Sequence, residues 1–70
     1  MKVESYMSGD NVVFKNFVVI KKKDTYYGVY EACSGQPYGQ ELTHGETLHA
    51  ACKKAKLLQI GYNICKDNIW

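Results

Sequence analysis

The side chains best suited to bind a metal or act as nucleophiles are two histidines and three cysteines, and their spacing limits what they can do. His49-x-x-Cys52 sets an imidazole and a thiol one helical turn apart, as two ligands on one helix would be. A structural zinc site needs four ligands, and the chain offers neither a CxxC pair nor a second cluster. No metal site is expected. Cys33, Cys52 and Cys65 are odd in number and widely spaced, which reads as reduced thiols, with Cys52 as a small core residue. His44 and His49 have no nucleophile arranged beside them, the few carboxylates are scattered, and no glycine-rich phosphate loop is present. His44 is expected to decorate the start of a helix. The chain is read as non-enzymatic, with no cofactor.

Charge offers a second kind of chemistry. The formal net charge is only +2, but all nine basic residues are lysines. Without arginine there is no planar fork to read guanine edges or clamp phosphates bidentately, which weighs against sequence-specific DNA recognition. Lysine patches still support salt-sensitive backbone binding. Lys21, Lys22 and Lys23 lie close to Tyr26 and Tyr27, a set that could hold phosphates and stack bases. The competing reading is a charged turn that keeps a hairpin tip soluble.

These residues must be positioned by a single small domain, since 70 residues leave no room for a second core. Hydrophobic residues at 46% and charged residues at 23% fit a folded globular chain. The opening MKVESYM is too polar for a signal peptide, and no apolar run approaches the ~20 residues of a membrane span. A cytoplasmic protein is expected.

The organising element is a helix over residues 43–61. At about 100° per residue, Leu48, Ala51, Cys52, Ala55, Leu58 and Tyr62 share one arc, a stripe meant for burial. Its small residues let the helix lie close to a sheet. Lys53, Lys54, Lys56 and His49 fall outside the arc. Thr43 with Glu46 has capping-box spacing, and Thr47 is a second candidate N-cap; the sequence does not choose between them. Gly61 is expected to end the helix in a left-handed C′ conformation.

Before the helix the chain reads as strands. Residues 2–7 form a short first strand, and Ser8-Gly9-Asp10-Asn11 is a turn. Residues 12–20 (VVFKNFVVI) are β-branched and aromatic and read as one strand. A charged turn at 21–25 leads to a return strand over 26–33, then a turn at Ser34–Pro37 and a third strand at 38–42. Phe14, Val18 and Ile20 are assigned to one face and Val13, Phe17 and Val19 to the other. Tyr27, Val29 and Glu31 oppose Tyr26, Gly28, Tyr30 and Ala32. Gly28 among large residues suggests a bulge or a close approach of the helix. Tyr62–Cys65 adds an edge strand or simply packs. The fold class is α+β: an antiparallel sheet of three to five strands covered on one face by one helix.

Two stretches carry a family resemblance. Residues 17–30 (FVVIKKKDTYYGVY) and Gly45-Glu46-Thr47-Leu48 with Ala51, Ala55 and Lys56 resemble the first hairpin and the G-D/E-T-L-x-x-A helix start of HicB-type antitoxin domains, a partial RNase H-like fold. The resemblance covers residues 17–58 and implies an antitoxin-like protein that binds a protein partner. The loop from Cys33 to Pro37 lacks the family's P-x-x-P/G-C wording. Residues 1–70 also hold no helix-turn-helix or ribbon-helix-helix segment, so regulation through DNA would need another chain. More distantly, Tyr26–Tyr30 through Gln36 is similar to the aromatic hairpin of the arm-type DNA-binding domain of lambda-like integrases.

The first functional expectation is a small regulatory or inhibitory protein-interaction module, of the kind phages and mobile elements carry. Leu57 lies opposite the stripe and Ile60 well off it. Either Ile64, Ile69 or Trp70 folds back over them, or Leu57, Ile60 and Trp70 form a patch for a protein partner or a second copy. The alternative is nucleic-acid binding through Lys21, Lys22, Lys23, Tyr26 and Tyr27.

Overall fold

A computed structural model describes residues 3–67. Five antiparallel strands form a meander in which each strand pairs with the next: β1 (Ser5–Ser8), β2 (Asn11–Phe14), β3 (Phe17–Lys23), β4 (Tyr26–Cys33) and β5 (Gln36–Gly45). One helix, α1 (Leu48–Asp67), crosses one face of the sheet. This is the α+β architecture expected from the sequence, at the upper end of the expected strand number.

Two of the turns rest on positive φ angles. Gly9 (φ 62°) opens the two-residue β1–β2 turn, as a type II′ turn requires. Ser34 and Gly35 (φ 53° and 80°) form the β4–β5 turn, where both central residues are left-handed as in type I′. That turn is shorter than the expected Ser34–Pro37, and Gln36 and Pro37 already belong to β5.

The expected single strand over 12–20 is instead a hairpin. The chain reverses at Lys15-Asn16, so Val12 pairs with Val19 and Val13 with Val18. Two adjacent polar residues interrupt the apolar run, and the physical gain is on the helix side of the sheet. In one straight strand Phe14 and Phe17, an odd number of residues apart, would face opposite ways. Folded back, both join Val12, Val19 and Val29 in the core under Ala51 and Ala55. Phe14 therefore sides with Phe17 and Val19, not with Val18 and Ile20. In β4 the expected faces hold: Tyr27 and Val29 pack toward the helix.

The helix starts after one of its two candidate caps and runs past its expected end. Thr47, not Thr43, is the N-cap: its Oγ1 accepts the Ala50 N–H at 3.1 Å, and its carbonyl accepts the Ala51 N–H at 3.0 Å. Thr43 lies in β5. Gly61 does not end the helix, which continues through Asp67, so Tyr62–Cys65 is helical and adds no strand. A glycine inside a helix costs about 1 kcal/mol. Contacts beyond it hold the last turns: the Tyr62 ring meets Phe17 edge-on at 6.2 Å, and Asn63 accepts a bond from Gln59.

The buried stripe is right at its centre and wrong at its edges. Ala51 and Ala55 are fully buried, whereas Leu48, Leu58 and Tyr62 remain 36%, 36% and 44% exposed. Gln59 occupies the stripe instead. Close packing depends on Gly45, where a Cβ would lie 2.6 Å from the Ala51 backbone nitrogen. The close approach at Gly28 has a different source: the Glu41 carboxylate of β5 lies over it, not the helix. The nearby bulges fall at Lys22 in β3 and across residues 39–42 in β5.

Candidate functional site

The helix presents two faces of different chemistry. Its inner face, centred on Ala55, meets the sheet. By the helical angle, Leu57, Ile60 and Ile64 lie about 140–200° around from Ala55, on the outer side. Leu57 is 60% exposed and Ile64 47% exposed, while Ile60 is half-buried. Lys53 continues this line toward the N-terminus, with Lys54 and Lys56 on its two sides, all exposed. From Leu48 to Lys66 the helix carries four lysines and no carboxylate. Lys54 Nζ donates to the His44 carbonyl at 2.6 Å. Neither Lys53 nor Lys56 forms an ion pair among the described residues. Ile64 thus belongs to the outer face and does not cover it. Ile69 and Trp70 lie outside the described residues.

Beneath this face, Gln59 fixes the helix to the hairpin that the sequence did not reveal. Gln59 Oε1 accepts the Asn16 N–H at 2.7 Å, and its Nε2 donates to Asn16 Oδ1 at 2.8 Å and to Asn63 Oδ1 at 3.0 Å. The Asn16 carbonyl in turn accepts the Ala32 N–H at 2.9 Å. A polar side chain that is 2% exposed is retained because its amide meets partners at both ends.

The lysine hairpin end is divided between the two faces of the sheet. Tyr27 is half-buried against the helix-side core, whereas Tyr26 lies on the opposite face, stacked on His44 at 4.7 Å between centroids and 10° between planes. Lys22 Nζ stands 3.6 Å from Glu41 Oε1 and 5.2 Å from the centre of the Tyr30 ring. Lys21 pairs with Asp24 at 3.9 Å, and Lys23 is exposed. The fold therefore joins Lys22 to Tyr26, Tyr30, Glu41 and His44, and it separates Tyr26 from Tyr27.

This small cluster holds its protons firmly. Tyr26 donates its hydroxyl proton to Glu41 Oε2, and that bond to a carboxylate holds the phenol above its usual pKa. Contact with the Tyr30 side chain, and then the Glu41 charge, hold the Lys22 ammonium above its usual value as well. An activated nucleophile or base at neutral pH would need shifts in the opposite direction.

His49 and Cys52 line one shallow groove of about 360 Å³ together with Val3, Ser5, Phe14, Lys53 and Lys56. Burial raises the Cys52 thiol pKa, so the thiolate that a metal would need is disfavoured, and two lysines in the same groove oppose a cation. Among the described residues, no three His, Cys, Asp or Glu side chains gather as a metal site requires. Also among them, no helix is long and apolar enough to cross a membrane.

Sequence reasoning found Leu57 and Ile60 by helical angle but missed Ile64, Gln59 and Glu41. For Gln59 a signal existed: it stands four residues after Ala55 and eight after Ala51, on the stripe, and only its polarity excluded it. Comparison with protein-family models, curated proteins and solved structures finds no match to this chain.

Proposed function

We propose that this chain is a small non-enzymatic protein-interaction module, regulatory or inhibitory in role, whose docking surface is the outer face of α1. One observation carries the reading: Leu57 is 60% exposed on the side of the helix opposite fully buried Ala55. With Ile60 and Ile64 it forms an aliphatic line on a face turned away from the sheet. Apolar side chains in that position add little to folding but become favourable when a partner removes them from water. The regulatory or inhibitory role follows from the resemblance of residues 17–58 to HicB-type antitoxin domains; these residues form β3, β4, β5 and the first half of α1.

The test is affinity capture from nuclease-treated host lysate with wild type, Leu57→Lys and Lys23→Glu. Leu57→Lys is expected to melt like wild type yet lose its protein partner, because a lysine in an apolar contact must be desolvated. Lys23→Glu, a charge change on the sheet, should keep the partner. Unchanged capture by Leu57→Lys would overturn the reading.

The alternative, nucleic-acid binding through Lys21, Lys22 and Lys23 with Tyr26 and Tyr27, has less support. Two of the three lysines already face carboxylates, and the two tyrosines face opposite ways. Retention on nucleic acid at low salt, lost when the three lysines become Gln, would favour it.

A further inference from the structure

We infer that the outer face of α1 receives an acidic amphipathic helix of a partner protein. This rests on reading that face as the docking surface, and it adds the chemistry of what docks. Positions 53, 57, 60 and 64 step by four, three and four residues, the spacing of one seam of a helix pair. Leu57, Ile60 and Ile64 fill three positions with the branched aliphatic side chains that such a seam packs, and Lys53 fills the fourth. Lys54 and Lys56 border the seam, at the positions where helix pairs carry the charges that choose a partner. The helix has no carboxylate of its own between Leu48 and Lys66 to answer them, and Lys53 and Lys56 have no ion-pair partner among the described residues. A partner helix with Leu or Ile on its seam and Glu beside it satisfies both the apolar line and the unanswered charge.

The same charges argue against other occupants. A second copy packed in parallel would set Lys53 against Lys53. Like charges meeting across a seam oppose association. An anionic lipid surface also attracts lysines, but helices that lie in a membrane present a broad apolar face, commonly with aromatic residues. Here the apolar line is about one side chain wide at each turn, carries no aromatic ring, and the opposite side of the helix is taken by the sheet.

The probe is a labelled peptide of about three heptads with Leu at the seam positions and Glu at the bordering ones; a twin peptide carries Lys in place of Glu. Fluorescence anisotropy with the full chain should show saturable binding of the acidic peptide and none of the basic one. Leu57→Lys should abolish it, and Lys53→Glu with Lys56→Glu should weaken it roughly tenfold, the loss of about two interhelical charge pairs. Native circular dichroism of each variant accompanies the titration. Equal binding of the two peptides, or no response to the double variant, overturns the acidic preference. The docking surface itself survives that result if Leu57→Lys still loses the captured lysate partner. Concentration-dependent dimerisation that Leu57→Lys removes would instead assign the face to a second copy. Co-sedimentation with phosphatidylserine vesicles that Leu57→Lys removes would assign it to lipid. Either result overturns the inference.

Discussion

Replacing Gln59 by Ala withdraws the amide that ties α1 to the β2–β3 turn, and the cost can be worked from its partners. The Asn16 N–H loses its acceptor at 2.7 Å, and two bonds from Nε2, at 2.8 and 3.0 Å, disappear with it. A buried backbone donor left without a partner costs about 1–3 kcal/mol. Gln59 also lines a shallow groove with Val3, Glu4, Lys15 and Asn63, through which water can reach the vacated space, so the lower half of that range applies. Lost packing of the one methylene that alanine lacks adds about 1 kcal/mol. The sum is about 2–3 kcal/mol, a large fraction of the roughly 3.5–10 kcal/mol that 70 residues supply at ordinary stability per residue. At about 4–8 °C per kcal/mol for so small a domain, the melting midpoint should fall by roughly 10–20 °C.

A second substitution separates the hydrogen-bond network from simple cavity formation. Gln59→Glu keeps the shape and the acceptor for Asn16, but at neutral pH it sets a carboxylate oxygen against Asn16 Oδ1 and Asn63 Oδ1. Burial and these two oxygens favour the protonated acid, so its folded pKa is raised above the unfolded value. A carboxyl group raised in this way contributes most stability at low pH and loses it as pH rises through the folded pKa. The gap between Gln59→Glu and wild type should therefore narrow as pH falls from 7 to 5, in circular-dichroism melts at each pH. A Gln59→Ala midpoint within about 3 °C of wild type, or a gap that ignores pH, would refute the role assigned to Gln59.

Ala55→Asp places an unpaired charge at a fully buried position and is expected to unfold the domain, whereas Lys54→Asp gives up one surface bond to the His44 carbonyl and should cost under about 1 kcal/mol; thermal melts of the pair check the helix face. Gly45→Ala drives a methyl group onto the Ala51 backbone, which has no room to yield, and should lower the melting midpoint more than Gly28→Ala, where the nearest atoms are side-chain atoms, the movable end of Glu41 and the edge of the Tyr30 ring. In alkali, the raised Tyr26 pKa means that stability from the Tyr26–Glu41 bond is present below the unfolded phenol value near 10 and is lost as pH rises through the folded value. Tyr26→Phe should flatten that alkaline loss, followed by denaturation midpoints between pH 9 and 11.

The parts of the fold that were legible in the sequence are those marked by turn chemistry. Asp24-Thr25 and Ser34-Gly35 bracket β4, and its bounds, 26–33, agree with expectation. The Lys15-Asn16 reversal carries no glycine or proline and no positive φ, so the run from Val12 to Ile20 gave no local sign of folding back. It is stabilised from a distance, by Gln59, 43 residues along the chain. Gly61 misled for a related reason: its conformation is decided by the packing of Tyr62 on Phe17 and by the Gln59–Asn63 bond, not by its own freedom. Once residues 62–65 were read as a strand, Ile64 could not join the line of Leu57 and Ile60. On the other face, Glu41 reaches Tyr26 and Lys22 only because β5 bulges over residues 39–42, which no periodicity announces.

The inner and outer faces of α1 are physically connected. Alanine at 51 and 55 and glycine at 45 bring the helix close to the sheet, so the core under it is thin and rests on Phe14, Phe17, Val19 and Val29 from below. A helix held this close can bury only a narrow arc, and side chains about 180° away gain nothing from the sheet. Lysine or glutamate at 57, 60 and 64 would serve a solvent-facing helix at least as well in propensity and better in solubility. Where local preference and fold are otherwise consistent, a leucine left 60% exposed at position 57 marks a place where another requirement acts. Lysines stand beside the aliphatic line and no carboxylate stands on the helix between Leu48 and Lys66, so the missing component has an apolar seam and negative charge at its border.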